Sequence, residues 1–124
     1  MIKGDVYFVK MGDEGIGCEQ KGDRYAIIVQ NNTGNQYSPT TIVAFATTSI
    51  HKAKLPTHIE INNSNSGIPE PSIVLCEQLR TIDKSRLERR VGHLSINKKE
   101  ELDRALCISL GLTTLIDSKD KVIQ

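Results

Sequence analysis

The sequence predicts a small, mainly β protein that ends in one main α-helix. Short β-branched and aliphatic runs recur through the first ninety positions, separated by clusters of Gly, Asn, Ser and Pro. From position 95 onward the apolar residues recur at a helical spacing of three and four. The length of 124 residues suits one domain. We expect residues 1–116 to form it and residues 117–124 to be a polar, frayed tail.

Six segments have the composition of strands. Residues 25–29 are continuously apolar, which is typical of a central strand buried on both faces. Residues 57–61 alternate polar and apolar side chains, as a half-buried strand does. The Asn-rich stretches 31–35 and 62–67 are expected to be a turn and a loop. The remaining strands are expected at residues 6–9, 41–47, 72–79 and, as a last short strand, 91–94.

The C-terminal third changes to a helical period. Asp83 is expected to cap a single helical turn that ends near Leu87. Ser95 or Asn97 is a suitable N-cap for the main helix. One packing stripe follows, formed by Leu102, Ala105, Leu106, Ser109 and Leu110. Together the segments predict a small β-barrel-like sheet with one C-terminal helix.

Composition excludes several classes of function. Sixteen basic and fifteen acidic residues leave a net charge of +1, so bulk charge alone does not hold nucleic acid, although a local basic patch remains possible. Aromatic residues make up only 4% of the chain, which disfavours base recognition by stacking. The three cysteines are widely spaced and form neither a disulfide framework nor a zinc motif. With no apolar targeting or membrane-spanning segment, we expect a reduced, cytoplasmic location.

Two polar side chains stand at predicted strand ends. A loop with four glycines runs from residue 10 to Arg24, but its spacing matches neither phosphate-loop motif. Arg24 is either a solvated strand-end charge or a guanidinium that forks two hydrogen bonds onto a phosphate. Thr47 ends the third strand and is either an ordinary β-branched strand end or a hydroxyl donor beside Arg24.

No metal-binding spacing is present in the sequence. The histidines His51, His58 and His93 lie on different segments, and His93 is expected to be structural. Any chemistry is therefore expected to be metal-free. Residues 80–90 hold five basic and two acidic side chains, which suits either a solvated face or a phosphate-tracking groove.

Several segments, in order, resemble the MazF/PemK family of toxin endoribonucleases from toxin–antitoxin modules. The likeness covers residues 2–112 and is greatest to the Gram-positive branch. The resembling pieces are KGDVY at 3–7, GCEQKGDRYAIIVQN at 17–31, YSPT at 37–40, KAKLPTH at 52–58 and EQLRTID at 77–83.

The resemblance implies an SH3-like barrel with a C-terminal helix, assembled as a homodimer, that needs no cofactor. It implies cleavage of single-stranded RNA, mostly mRNA, by attack of the 2′-hydroxyl on the adjacent phosphate. The products are a 2′,3′-cyclic phosphate and a 5′-hydroxyl. The family's catalytic Arg and Thr fall on Arg24 and Thr47. In this family the Arg is taken to act both as the base at the 2′-oxygen and as the acid at the leaving 5′-oxygen. Because an Arg side chain is almost always protonated, it suits the acid role and is a poor base, and His58 is a possible helper in the proton transfer.

The resemblance also implies which residues contact RNA and what kind of protein partner binds this chain. Relatives often have Ser at position 18, and the thiol here is a weaker hydrogen-bond donor. The expected partner is a MazE-type antitoxin whose disordered acidic tail covers the RNA groove. The residues expected to contact RNA are Cys18, Glu19, Gln20, Lys54, His58 and Gln78.

Two other functions fit the same fold class. One is a gyrase-poisoning toxin of the CcdB type, which acts through its C-terminal residues; the tail here is polar and lacks Trp. The other is a non-catalytic SH3-like module in which Arg24 and Thr47 dock a peptide. A supercoiling assay and a nuclease assay separate these possibilities from an endoribonuclease.

The low net charge predicts a modest salt dependence of RNA binding. A local groove with few phosphate contacts releases few counterions, so the slope of log K against log[salt] is expected to be shallow. Titrating fluorescent single-stranded RNA at several salt concentrations measures that slope. A steep slope, as many phosphate contacts produce, would contradict the prediction.

Overall fold

The computed structural model describes residues 1–12, 22–48 and 54–115. Its centre is one six-stranded antiparallel sheet with the strand order β4-β5-β3-β2-β1-β6. The strands are β1 (Asp5–Val9), β2 (Arg24–Ile28), β3 (Thr40–Thr47), β4 (His58–Ile61), β5 (Ser72–Asp83) and β6 (Leu87–His93). The helices are α1 (Asn32–Tyr37), α2 (Asn63–Ser66) and α3 (Ile96–Ser109), with a 3₁₀ turn at Lys84–Arg86. The predicted mainly β fold with a C-terminal helix is confirmed.

The predicted turn at residues 31–35 and the predicted loop at 62–67 are in fact short helices. Asn31 caps α1 because its side chain accepts a hydrogen bond from the Gly34 N–H at 2.8 Å. Asn62 caps α2 in a capping box, in which the Asn65 side chain accepts the Asn62 N–H. Asn is favoured both in turns and at helix N-caps, so composition alone does not separate the two structures.

Two strands are longer than the sequence pattern indicated. β5 continues past residue 79 because it stays paired with β3 as far as Asp83, opposite Thr40. β6 begins at Leu87, four residues before the predicted start, although its first half is polar and exposed. β6 pairs with β1 and is the last strand in the sheet order, and its residues 88–90 are exposed.

Each face of the sheet packs into its own apolar cluster. α3 covers one face with Leu102 and Ala105, as the predicted stripe requires, and Ser95 is its N-cap. The last residue of the predicted stripe, Leu110, is exposed to solvent and does not pack against the sheet. The first cluster is Val6, Ile27, Ala44, Ala46, Ile59, Ile61, Ile68, Val74, Cys76, Leu94, Leu102 and Ala105. The second is Val9, Met11, Ala26, Ile28, Val43, Phe45 and Ile82.

Two glycines lie where the two edge strands of the sheet, β4 and β6, are brought close together. α2 follows edge strand β4, and its C-cap Gly67 lies against Gly92 of the opposite edge strand β6. Gly67 has a φ of +85°, and a Cβ added there would overlap the carbonyl oxygen of Val91. The Ser95 N–H also donates to the Asn65 carbonyl at 2.9 Å, which joins α2 to the start of α3. The sheet therefore curls until its two edges meet through α2.

A buried carboxylate ties β1 to β6 at the same end. Asp5 accepts hydrogen bonds from the Ile2 N–H at 2.9 Å, from His93 Nδ1 at 2.8 Å and from Arg90 Nε at 3.1 Å. Burial raises the pKa of Asp5, but these hydrogen bonds outweigh it and leave the pKa below its ordinary value. The structural role predicted for His93 follows from this contact.

We expect Gly67→Ala to destabilise the protein more than Gly111→Ala. Both glycines have positive φ, so either substitution costs roughly 1–2 kcal/mol of backbone strain. At Gly67 the methyl group also overlaps β6, which adds about 1–3 kcal/mol, whereas at Gly111 it meets no atom of the described residues within 4 Å. Urea unfolding of both variants gives the two free energies. Equal losses would show that the α2–β6 contact does not constrain the fold.

Candidate active site

Arg24 begins β2 and Thr47 ends β3, each two residues beyond the last pair that joins these strands. Ala26 lies opposite Phe45, and Ile28 lies opposite Val43. Continued to the ends of both strands, this register sets Arg24 opposite Thr47. Directly opposed residues in antiparallel strands have their side chains on the same face. The guanidinium and the hydroxyl therefore share the face that holds the second apolar cluster, at its rim.

Part of the Arg24 guanidinium is buried without a partner among the described residues. Its Nε and Nη1 atoms are buried and have no hydrogen-bond partner among the described residues. Burial lowers the pKa of Arg24 from its ordinary value. Leaving buried donors unsatisfied costs free energy, so an arrangement of this kind favours an anion that accepts both hydrogen bonds.

The same row of the sheet continues across two more strands. Thr47 is opposite Ile73 of β5, and Ile73 is opposite Glu60 of β4. Glu60 bonds Lys54, whose Nζ lies 2.6 Å from its Oε1. Both of these side chains are exposed. The predicted contact Lys54 is therefore held by a residue of the row that contains Thr47, at the far edge of the sheet.

A large irregularity in β5 turns Glu77 and Gln78 away from regular pairing. Ala44 is opposite Leu79 and Ala46 is opposite Val74, so residues 75–78 face Phe45 alone. Such an insertion bends a strand and redirects its side chains. Glu77 is exposed and the predicted contact Gln78 is half-buried.

His58 is held inside a hydrogen-bond network. Its side chain is only 3% exposed. Nδ1 accepts the Leu55 N–H at 3.1 Å, and Nε2 lies 2.9 Å from Oε2 of Glu77. A ring nitrogen that accepts has no proton, so the proton is on Nε2 and is donated to Glu77. Both ring nitrogens are therefore engaged within the protein.

Glu77 is the centre of this network. Its Oε1 accepts the Thr57 hydroxyl at 3.0 Å. Burial raises the pKa of Glu77, but hydrogen bonds from His58, from the backbone and from Thr57 outweigh it, so the net shift is downward. The carboxylate is thus ionised and fixed in direction. Sequence reasoning did not single out Glu77, and its position beside Gln78 was the available signal.

Three of the predicted RNA contacts, Cys18, Glu19 and Gln20, lie outside the described residues. Within residues 1–12, 22–48 and 54–115, no group of three His, Cys, Asp or Glu side chains is arranged to hold a metal ion. The helices of that part of the chain are all too short or too polar to cross a membrane.

Comparison with known proteins gives a consistent result. Residues 2–110 match the family described as PemK-like, MazF-like toxin of type II toxin–antitoxin systems. The curated protein Endoribonuclease MazF of Staphylococcus saprophyticus is 47% identical over 119 residues, which are 96% of this chain and 98% of that protein.

Solved structures resemble the fold at lower identity. An endoribonuclease from a mycobacterial species, in complex with its cognate antitoxin, superposes with a TM-score of 0.73 at 24% identity. MazF from Deinococcus radiodurans gives a TM-score of 0.74 at 18% identity. In each case 90% of this chain and 96% of the other chain are covered.

We expect Arg24→Met to make the protein more stable. The substitution keeps the apolar part of the side chain and removes two buried, unsatisfied donors, which is worth roughly 1 kcal/mol. Urea unfolding measures the change. Arg89→Met is the control: its guanidinium stacks 4.5 Å from the Phe8 ring centroid, so its removal should lower stability. A clear loss of stability in Arg24→Met would mean that the guanidinium is satisfied in the free protein.

Proposed function

Because this chain belongs to the PemK-like, MazF-like toxin family of type II toxin–antitoxin systems, we propose that it is an endoribonuclease toxin neutralised by a cognate antitoxin. The substrate is single-stranded RNA, mainly mRNA, cleaved at specific short sequences without a metal ion. The products are a 2′,3′-cyclic phosphate and a 5′-hydroxyl.

One observation supports this proposal above the others. Two nitrogens of the Arg24 guanidinium are buried without a hydrogen-bond partner in the part of the chain that the structure describes, and by strand alternation Arg24 lies on the same face of the sheet as Thr47. A phosphodiester is an anion with two non-bridging oxygens, which match the fork of donors on a guanidinium. A docking module for neutral peptides has no need for a desolvated, unpaired cation, because that group costs stability.

The reaction is an in-line displacement at phosphorus. The 2′-oxygen of the RNA attacks the adjacent phosphorus and loses its proton to a base, while the bond from phosphorus to the 5′-oxygen breaks. Arg24 and Thr47 donate hydrogen bonds to the non-bridging oxygens, whose negative charge grows in the transition state. Arg24 then protonates the leaving 5′-oxygen, a step that its lowered pKa favours.

The remaining polar groups recognise the RNA strand. Gln78 and the residues Cys18, Glu19 and Gln20 form hydrogen bonds to base edges. Lys54 holds a phosphate. His58, which is expected to contact RNA, also acts through Glu77: its hydrogen bond helps to keep that carboxylate ionised and fixed in direction. The Glu77 carboxylate accepts hydrogen bonds only, so it favours bases that present donors.

The toxin acts as a homodimer and is inhibited by an antitoxin of the MazE type. The mycobacterial endoribonuclease solved with its cognate antitoxin supports such a complex. A disordered acidic tail that folds over the RNA groove would occupy the Arg24 donors with carboxylates, which have the same charge and fork geometry as phosphate.

We expect the purified protein, free of antitoxin, to cleave mixed RNA in excess EDTA. Arg24→Ala and Thr47→Ala should each lower kcat at least about 100-fold, because each removes a donor to the developing charge. Thr47→Ser keeps the hydroxyl and is the matched control, with activity close to wild type. Gel analysis gives the rates, and sequencing of 5′-hydroxyl ends gives the cleaved sites.

Two results would contradict this proposal. Intact RNA after incubation with folded wild-type protein would exclude the endoribonuclease and leave the gyrase poison or the binding module. Full cleavage by Arg24→Ala would remove Arg24 from the mechanism. Circular dichroism confirms that each variant is folded before its activity is compared.

A further inference from the structure

Strand β6 forms one edge of the sheet, and the first half of this strand is open. Val91 and Gly92 lie against the end of α2, where a Cβ on Gly67 would overlap the Val91 carbonyl oxygen. Residues 88–90, in contrast, are exposed. Among the described strands β6 pairs only with β1, so the outward backbone groups of residues 88–90 have no strand partner there. An open edge of this kind can pair with an extended segment of another chain.

A cation and two aromatic rings form one row at this edge, which we call the Arg89 row. Phe8 of β1 lies directly opposite both Tyr25 of β2 and Arg89 of β6. The two rings pack edge to face with their centroids 5.3 Å apart, and the guanidinium carbon of Arg89 lies 4.5 Å from the Phe8 centroid. The whole chain has three tyrosines, two phenylalanines and no tryptophan, and two of these rings are in this row.

The positive charge of Arg89 is not balanced by a carboxylate. In the part of the chain that the structure describes, Arg89 stacks on Phe8 and forms no ion pair. The residues on either side of it are paired, because Arg90 bonds Asp5 and Glu88 lies 3.8 Å from Lys10. Stacking holds one face of the guanidinium against the ring and leaves its N–H groups for a ligand. Such a guanidinium can fork two hydrogen bonds onto a carboxylate.

The position of the Arg89 row favours a protein segment over RNA as its ligand. Arg24 lies opposite Val9, the residue after Phe8, so Arg24 and Arg89 are on opposite faces of the sheet. An RNA strand held at Arg24 therefore does not run along the Arg89 row. Pairing with the open edge of β6 also requires peptide N–H and C=O groups, which RNA does not have. An acidic residue of such a peptide supplies the carboxylate that Arg89 lacks.

We propose that residues 88–90 of β6 bind an extended acidic segment of the antitoxin by strand addition, with one of its carboxylates on Arg89. The identity of this partner rests on the proposed function, in which a disordered acidic tail covers Arg24. Arg24 and Tyr25 are consecutive residues, so the two sites lie on either side of the same end of the sheet. Roughly three to four extended residues span a layer about 10 Å thick, so one tail can reach both sites.

A second attachment point strengthens the complex without involving the catalytic groups. Once one part of the tail is bound at Arg24, the part that meets Arg89 is held at a high effective concentration. Removal of the Arg89 guanidinium should therefore weaken the complex with the antitoxin and leave RNA cleavage unchanged. Removal of Arg24, in contrast, should affect both.

The test uses the full-length chain and its separately purified cognate antitoxin. Fluorescence anisotropy of labelled antitoxin gives Kd, and hydrogen exchange of the free protein and the complex reports on the backbone amides of residues 88–90. The variants are Arg89→Gln, Arg89→Glu and, as a control, Arg104→Gln, which removes an exposed arginine of α3. Circular dichroism confirms that each variant is folded, and cleavage of mixed RNA is measured in parallel.

We expect Arg89→Gln to raise the Kd of the antitoxin roughly tenfold, because it removes a charge-assisted hydrogen bond at the interface. Arg89→Glu should raise Kd further, since its carboxylate repels the acidic segment. Arg104→Gln should match wild type, and every variant should cut RNA at the wild-type rate. The amides of residues 88–90 should exchange more slowly in the wild-type complex than in the free protein.

The outcomes separate this inference from the proposed function. If wild-type protein cuts RNA and binds the antitoxin, but Arg89→Gln keeps the wild-type Kd, only the docking site is overturned. Slower exchange at residues 88–90 in the free protein at rising concentration would overturn it too, because a second copy would then cover the edge. Impaired RNA cleavage by Arg89→Gln, with normal antitoxin binding, would assign the row to RNA instead. If wild-type protein does not cut RNA, the proposed function fails, whereas slower exchange at residues 88–90 with the antitoxin still supports the docking site.

Discussion

The register of β2 against β3 determines the position of every other part of this structure. With Ala26 opposite Phe45, apolar side chains alternate between the two clusters, and Arg24 and Thr47, two residues further along each strand, fall on the same face of the sheet. A shift by one residue would exchange the two faces of β2, exposing apolar groups and separating the guanidinium from the hydroxyl. The stability of the core and the geometry of the site thus depend on the same pairing.

The buried polar groups of this protein are treated in two different ways. The buried Asp5 and the more exposed Glu77 each receive several hydrogen bonds, and both have lowered pKa values despite partial desolvation. Arg24 is half-buried without that compensation. Proteins usually tolerate an unsatisfied buried donor where a ligand completes it. The contrast within one small domain supports Arg24, rather than its better-satisfied neighbours, as the group that meets the phosphate.

The irregular segment of β5 extends the site beyond this pair. Because residues 75–78 face a single residue of β3, Glu77 projects toward His58 and Thr57 instead of into the regular sheet. The start of the same strand lines a cavity at the edge of β4. A single bent strand therefore both positions a fixed carboxylate and forms part of that cavity wall.

The sequence by itself determined the fold class, the approximate positions of the six strands, the buried part of the α3 stripe and the caps Asp83 and Ser95, and its resemblance to a known family made Arg24 and Thr47 the candidate catalytic residues. Alternating apolar residues, turn residues and caps act over a few positions, so one sequence displays them directly. Only the tertiary structure decided that His58 bonds Glu77, that Gly67 meets Gly92, and that Lys98 joins Lys54 around one cavity. These contacts join residues far apart in the chain, and they arise from strand order, from the bend in β5 and from the packing of α3, none of which a local pattern encodes.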